Sequence, residues 1–309
     1  MRAAQVVLPT AVWLDSAAPD RVLILIRIRE IGIRSRGDTR RITYGSKRPL
    51  RKGSPNGWIA EDMETLLVGL AHPDDEVGIA GTLLAQRARG DRVVIVWLTR
   101  GEMTEAFGPI PPAEVARRRT EQGHRAGEIL GVETRFLDFP DTALVDDRET
   151  AVYVARLICE IRPTGLITWG EAWVRGMRHP DHQACGRIFR NAVGLARMAK
   201  VVAPATPHRA DLPIFTIRDI HSTLPPVAVD VSPYRERVAE LADFYFHGVG
   251  FGHPEWMEHR LRQAGERWGC RYAEELDAWE TEGNRLVTSL LPAPLADHTF
   301  HPARREGGG

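Results

Sequence analysis

From residue 65 onward, short apolar runs alternate with segments of helical periodicity. The runs TLLVGLA, RVVIVWLT, TRFLDF and GLITW read as buried strands, and helical patterns separate and follow them. Further strands are predicted near PIFTI and VAVDV, and two helices, over Pro233–Phe246 and Pro254–Trp279, are predicted to close the chain. Because strands alternate with helices, we predict an α/β fold with a mostly parallel sheet and helices on both faces.

Composition excludes several classes of protein. With 309 residues and 43% hydrophobic content, the chain suits one large α/β domain or two small ones. The formal net charge is zero, so we expect no nucleic-acid partner. No apolar run reaches the roughly 18–20 residues of a membrane span. The three cysteines are odd in number and widely spaced, which is unlike a disulfide scaffold and favours the reducing cytoplasm.

Residues 1–62 differ from the rest of the chain. They contain twelve basic and six acidic residues and no motif that carries chemistry. An arm that contacts RNA or a membrane is one interpretation. The interpretation we favour is a basic extension that is loosely ordered or precedes a true start at Met63. We therefore predict one catalytic domain over residues 63–309. The sequence does not specify an oligomeric state.

Polar motifs follow all four of the first predicted strands. HPDDE follows the first strand, TRGE the second, FPD the third, and a loop containing HPDH the fourth. In open parallel sheets, ligands bind beyond the carboxyl ends of the strands. These motifs should therefore meet at one edge of the sheet, which is typical of a functional site.

Two of these motifs have the spacing of metal ligands. His72 and Asp75 are three residues apart across a strand-to-helix turn, and His179 and His182 are three apart at a helix start. Either motif alone could be a turn with a helix N-cap. Both together, at one edge, favour a metal site. We assign His72, Asp75 and His182 as ligands of Zn²⁺, with a position left for water; Fe²⁺ could use the same ligands.

The neighbouring residues suggest hydrolysis. Zinc lowers the pKa of a bound water to about 7, and Asp74 would take its proton as general base. His179 would stabilise the oxyanion, with Asp181 as the partner that orients it. Such a site would cleave an amide or an ester.

These motifs together resemble a known family. AHPDDE before a helix, LTRGE, an Arg-rich helix ending in LGV, LDFPD and HPDH are similar to the LmbE-like (PIG-L) zinc deacetylase superfamily. The resemblance covers about residues 66–199. It implies a Rossmann-like sheet with the metal at the strand edge, and removal of acetyl from N-acetylglucosamine conjugates. It also places the metal ligands at His72, Asp75 and His182, the base at Asp74 and the oxyanion-stabilising histidine at His179.

The resemblance also implies substrate contacts. An arginine that holds the substrate falls on Arg118 or Arg119, of which we favour Arg119, and a sugar-contacting aspartate falls on Asp141. Some mycothiol-pathway members carry Tyr where this chain has Met177, in GMRHPDH. That departure argues against a mycothiol-specific assignment.

We therefore predict a zinc-dependent hydrolase that deacetylates a small amino-sugar conjugate. One alternative is an amidase that acts on a larger acyl group or a thiol conjugate. A second alternative, from another class, is a non-catalytic sugar-binding module. The presence of Asp74 disfavours the second alternative, because a binding module needs no base beside the metal.

Overall fold

The structure, a computed structural model, describes residues 63–280; the predicted N-terminal extension lies outside these residues. The described residues form one sheet flanked by helices. Its strands are β1 (Thr65–Leu70), β2 (Arg92–Trp97), β3 (Glu133–Phe136), β4 (Gly165–Trp169), β5 (Ile214–Ile217), β6 (Pro226–Asp230) and β7 (Ala273–Glu280). The strand order is β3-β2-β1-β4-β5-β7-β6. The five strands from β3 to β5 are parallel, and β7 pairs antiparallel with both β5 and β6.

The helices form two groups. Their bounds are α1 (Ala80–Ala88), α2 (Pro112–Leu130), α3 (Arg148–Ile161), α4 (Pro180–Ala196), α5 (Ala199–Val202), α6 (Arg235–Val249) and α7 (Pro254–Trp268). Helices α3, α4 and α5 pack against one another, while α1, α2, α6 and α7 form the second group. The chain runs outward from β1 to β3 and then returns to β4. Crossovers between parallel strands are right-handed as a rule, so crossovers that leave β1 in opposite directions are expected to lie on opposite faces of the sheet. The predicted α/β fold with a mostly parallel sheet is confirmed.

The end of the described chain differs from the prediction. We expected one helix over Pro254–Trp279, but α7 ends at Trp268, and Gly269 adopts a left-handed conformation with φ of 75°. Residues 273–280, AEELDAWE, then form β7 between β5 and β6. Their helix-forming composition is overridden because the segment fills a gap in the sheet, where strand pairing and burial outweigh local preference.

Close packing of α4 against the sheet fixes the helix that carries two of the predicted site residues. A Cβ atom at Gly69 of β1 would lie 2.5 Å from the Phe189 ring of α4. A Cβ atom at Gly186 of α4 would lie 2.4 Å from the carbonyl oxygen of Trp169 at the end of β4. Both glycines therefore allow a helix-to-strand approach that no larger residue permits.

The described helices are also too short or too polar for a lipid bilayer. Within residues 63–280, no helix has both the length and the apolar character that crossing a membrane requires.

Candidate active site

The candidate site lies where the order of the strands reverses direction. The turn after β1 supplies His72, Asp74 and Asp75, and the start of α4, after β4, supplies His179 and His182. Strands β1 and β4 are neighbours, so the two segments meet at the carboxyl edge of the sheet. All five residues line one cavity of about 490 Å³, within the range of roughly 300–1,000 Å³ that small-molecule sites occupy.

Three side-chain atoms converge in this cavity. His182 Nε2 lies 3.0 Å from Asp75 Oδ1. His72 Nδ1 lies 3.3 Å from His182 Nε2 and 3.9 Å from Asp75 Oδ1. Tetrahedral ligands at zinc-bond lengths of 2.0–2.1 Å are about 3.3–3.4 Å from one another. The three separations bracket that value, so the residues present fit a zinc-sized ion with nitrogen and oxygen ligands.

Hydrogen bonds and stacking orient these donors. The second carboxylate oxygen of Asp75, Oδ2, accepts from the backbone N–H groups of Ala71 and His72, at 2.9 and 3.0 Å. It also accepts from the Trp169 indole N–H at 3.2 Å. The Trp169 ring stacks on His182 with a centroid distance of 4.0 Å. Asp75 Oδ1 is thereby left facing the two histidines.

The other ring nitrogen of His72 faces two carboxylates. His72 Nε2 lies 3.0 Å from Asp141 Oδ1 and 3.3 Å from Asp181 Oδ2. Burial is the largest single effect and lowers the pKa of His72. The hydrogen bonds to Asp141 and Asp181, together with the negative charges of Asp75 and Asp141, outweigh burial and raise this pKa to about 10. The carboxylates favour a proton on Nε2, which leaves Nδ1 as the ligand atom. Three carboxylates around two imidazoles also make the site suited to a cation.

Asp181 contacts both His72 and His179, through different atoms. Its buried carboxylate accepts from the backbone N–H groups of Thr142 and Leu144, at 2.7 and 3.2 Å, as well as lying near His72. Only its backbone N–H contacts His179, by donating to Nδ1 at 3.2 Å. Donor atoms of His72, His179 and Asp181 also come within 4.8 Å of one another. Because backbone amides already hold the Asp181 carboxylate, we interpret it as a support for His72.

His179 is arranged as a neutral hydrogen-bond donor. Burial lowers its pKa, and the neighbouring His72 and His182 lower it further. Since Nδ1 accepts the Asp181 N–H, the neutral ring carries its proton on Nε2. An N–H donor that lines the cavity suits stabilisation of a developing oxyanion.

Arg119 lies against Asp74. Its guanidinium Nη2 donates to Asp74 Oδ2 at 2.6 Å and also to the carbonyl oxygen of Pro73. Burial raises the pKa of Asp74, although Arg119 acts in the opposite direction. A raised pKa brings a carboxylate closer to the working range of a general base.

Arg119 and Asp141, the two expected substrate contacts, each have a partner within the protein. Arg119 and Asp141 both line the cavity, while Arg118 pairs with Glu114 at the exposed surface of α2. The structure thus separates the two candidate arginines. Asp141 contacts His72 and accepts from the backbone N–H of Met103 at 2.9 Å.

Three further residues contribute to the site, although none is among the site residues that we assigned from the motifs. Trp169 orients Asp75 and His182, as described above. Glu76 and Tyr245 are fully buried beside Asp74, and the Tyr245 hydroxyl donates to Glu76 Oε1 at 2.6 Å. Glu76 stands within HPDDE, so its position in the motif was a signal, whereas Tyr245 lies 169 residues further along the chain.

Comparison with protein families gives a match over residues 67–193, to the PIG-L family described as GlcNAc-PI de-N-acetylase. Diacetylchitobiose deacetylase of Thermococcus kodakarensis is 31% identical over 226 residues, which cover 69% of this chain and 82% of that protein. A probable N-acetyl-α-D-glucosaminyl L-malate deacetylase of Bacillus anthracis is 29% identical and is covered over 91% of its length.

A solved structure supports the fold. The N,N'-diacetylchitobiose deacetylase of Pyrococcus horikoshii, in complex with an inhibitor, matches with a TM-score of 0.62 and 23% identity. The match covers 70% of this chain and 84% of that protein. The described strands and helices therefore follow an arrangement already seen in a deacetylase.

Proposed function

This chain belongs to the PIG-L family of de-N-acetylases, and from that premise we propose that it removes acetyl from an N-acetylglucosamine-type conjugate. The observation that carries the proposal is the convergence of His72 Nδ1, Asp75 Oδ1 and His182 Nε2 beside the Asp74 carboxylate. The relatives that match act, by name, on acetylated amino sugars. A small amino-sugar conjugate is therefore the proposed substrate.

We propose that His72, Asp75 and His182 hold the metal. Their two nitrogens and one oxygen suit zinc, and Fe²⁺ is the alternative with the same ligands. When bound, zinc would lower the pKa of water and polarise the acetamide carbonyl. Asp141 and Asp181 would keep the His72 ring in place through Nε2.

Asp74 and His179 would carry out the proton transfer and charge stabilisation. Asp74 accepts a proton from the attacking water as the water oxygen bonds to the carbonyl carbon. His179 Nε2–H donates to the carbonyl oxygen as it becomes an oxyanion. When the C–N bond breaks, Asp74 returns the proton to the nitrogen, so the products are acetate and the free amine.

The cavity wall suits a sugar with a small acyl group. Trp169 and Trp173 line the cavity beside His182, and their rings lie 4.3 Å apart. Two large side chains of nearby loops do not line the cavity: Phe107 contacts the Arg118 guanidinium, and Met177 is fully exposed. Arg119 and Asp141 border the cavity, so we retain them as proposed contacts for sugar hydroxyls.

We propose that the protein works in the cytoplasm. Cys159, Cys185 and Cys270 all carry free thiols, which fits the reducing cytoplasm.

A series of acyl groups tests the deacetylase against the larger-acyl amidase. We expect kcat/KM for N-propionyl glucosaminides to be roughly 10- to 200-fold below that for N-acetyl glucosaminides, the usual discrimination for one methylene. The reason is that the Trp169 and Trp173 rings, which lie beside His182, limit the space for the acyl group. The measurement is kcat/KM for acetyl, propionyl and butyryl amides of one glucosaminide.

Two variants make this test specific. Trp173→Ala opens the wall and should reduce the discrimination, whereas Met177→Ala, at an exposed position outside the cavity, should leave it unchanged. A series that is flat or that rises with chain length in the wild-type protein would favour the amidase. A protein that binds glucosaminides but turns over none of them would favour the sugar-binding module.

A further inference from the structure

The backbone of the proposed base has an unusual conformation. Asp74 has φ of 112° and ψ of −22°, in a region that residues with a side chain rarely adopt. Such a conformation persists only where its surroundings hold it, and it often occurs at functional sites. Position 74 is not a glycine, which would adopt this conformation easily. The Asp74 side chain also makes no capping hydrogen bond that would favour the turn.

A buried carboxylate holds this turn in place. Glu76 Oε2 accepts from the backbone N–H of Asp74 at 3.0 Å and from the indole N–H of Trp97 at 3.2 Å. Glu76 Oε1 accepts from the Tyr245 hydroxyl at 2.6 Å. The side chains of Glu76, Trp97 and Tyr245 are all fully buried. A group that is buried with three donors is fixed in position, since water cannot replace its partners.

The three donors come from different parts of the fold. Asp74 belongs to the turn after β1, Trp97 ends β2, and Tyr245 lies on α6, beyond the residues that match the family. Glu76 therefore connects the turn to a neighbouring strand and to a helix of the C-terminal region. Arg119 acts on the same turn through other atoms, the Asp74 carboxylate and the Pro73 carbonyl.

We propose that Glu76 is a positioning residue for Asp74: it fixes the strained backbone of the base, while Trp97 and Tyr245 fix Glu76. Arg119 then orients the Asp74 carboxylate and binds the Pro73 carbonyl, whereas Glu76 holds the backbone N–H of Asp74. The proposal rests on the proposed function, in which Asp74 is the general base.

The first test is Glu76→Gln in the full chain. The amide keeps the size of the side chain but replaces an acceptor by a donor that faces other donors. A misplacement of about 1 Å can reduce a rate by roughly 10²-fold, so we expect kcat to fall by 10- to 100-fold. KM and the metal content should stay within about two-fold, because Glu76 is not among the residues that line the cavity.

Glu274→Gln provides a matched control. Glu274 is also buried and also accepts three hydrogen bonds, from the Gly81 N–H, the Thr82 N–H and the Thr82 hydroxyl. These donors lie at the start of α1, and none belongs to Asp74. The control should lower the melting temperature as Glu76→Gln does, but it should leave kcat near the wild-type value. An equal fall of kcat in both variants would overturn the proposal.

A double variant separates positioning from general destabilisation. If Glu76 acts through Asp74, Glu76→Gln should cause less than about two-fold further loss in an Asp74→Asn background. If the fall of kcat in the double variant equals the product of the falls in the two single variants, the proposal is overturned, while the deacetylase assignment stays intact. Normal turnover of Asp74→Asn alone would instead remove the base assignment, and this proposal with it.

Tyr245→Phe keeps the test decisive if Glu76→Gln does not fold. It removes one hydroxyl and keeps the buried ring, so we expect a several-fold fall of kcat with KM unchanged. A wild-type kcat in a folded Tyr245→Phe variant would then contradict the proposal.

Discussion

Replacing Asp74 by asparagine is expected to lower kcat by on the order of 10²–10⁴-fold, the usual contribution of a general base. Asparagine has nearly the same shape but cannot take a proton from water. The Asp74 carboxylate contacts Arg119 and lines the cavity, and it is not one of the three converging donor atoms. The variant should therefore retain its metal while losing turnover. The measurement is kcat together with metal content on the same preparation.

Asp138→Asn is the control for this change. Asp138 is an exposed carboxylate that also pairs with an arginine, Arg100, at 2.7 Å. Loss of its charge should leave kcat within about two-fold, because exposed ion pairs contribute little. Near-normal turnover of Asp74→Asn, or an equal loss in both variants, would remove Asp74 from the mechanism.

Removing any one of the three proposed ligands should abolish metal binding and activity. His72→Ala, Asp75→Ala and His182→Ala each leave two donors, and catalytic zinc sites use three protein ligands. Activity should then fall at least as far as in Asp74→Asn, since both the water and the carbonyl lose their activation. The measurement is the metal content per chain after dialysis, compared with acetate release.

His208→Ala is the matched control for the ligand variants. His208 is a buried histidine whose Nε2 lies 2.8 Å from the carbonyl oxygen of Pro163, away from the cavity. It should keep the metal content of the wild-type protein. Full retention of metal in all three ligand variants would contradict the assignment.

Most of the sheet could be predicted from the sequence, because buried strands and amphipathic helices have different periodicities. TLLVGLA and RVVIVWLT were recognisable as strands, and β1 and β2 occupy them. Residues 273–280 were not recognisable, because AEELDAWE has the composition of a helix. Its strand conformation depends on β5 and β6, which lie far from it in the sequence.

The meeting of the site motifs could likewise be predicted, because their positions after parallel strands place them at one edge. The individual hydrogen-bond partners could not. Arg119 contacts Asp74, and the Asp181 carboxylate contacts backbone amides near His72, because helix rotation and loop path decide which atoms meet. Tyr245 could not be found from the motif, since only the packing of α6 brings it to Glu76.

The central claim is that this cavity deacetylates an amino sugar with the help of a metal ion. The most direct measurement is acetate release from a glycoside of N-acetylglucosamine before chelation, after chelation and after addition of zinc. We expect about one divalent ion per chain in the active protein, loss of acetate release when it is removed, and recovery with zinc. Acetate release that continues undiminished in metal-free protein would contradict the claim.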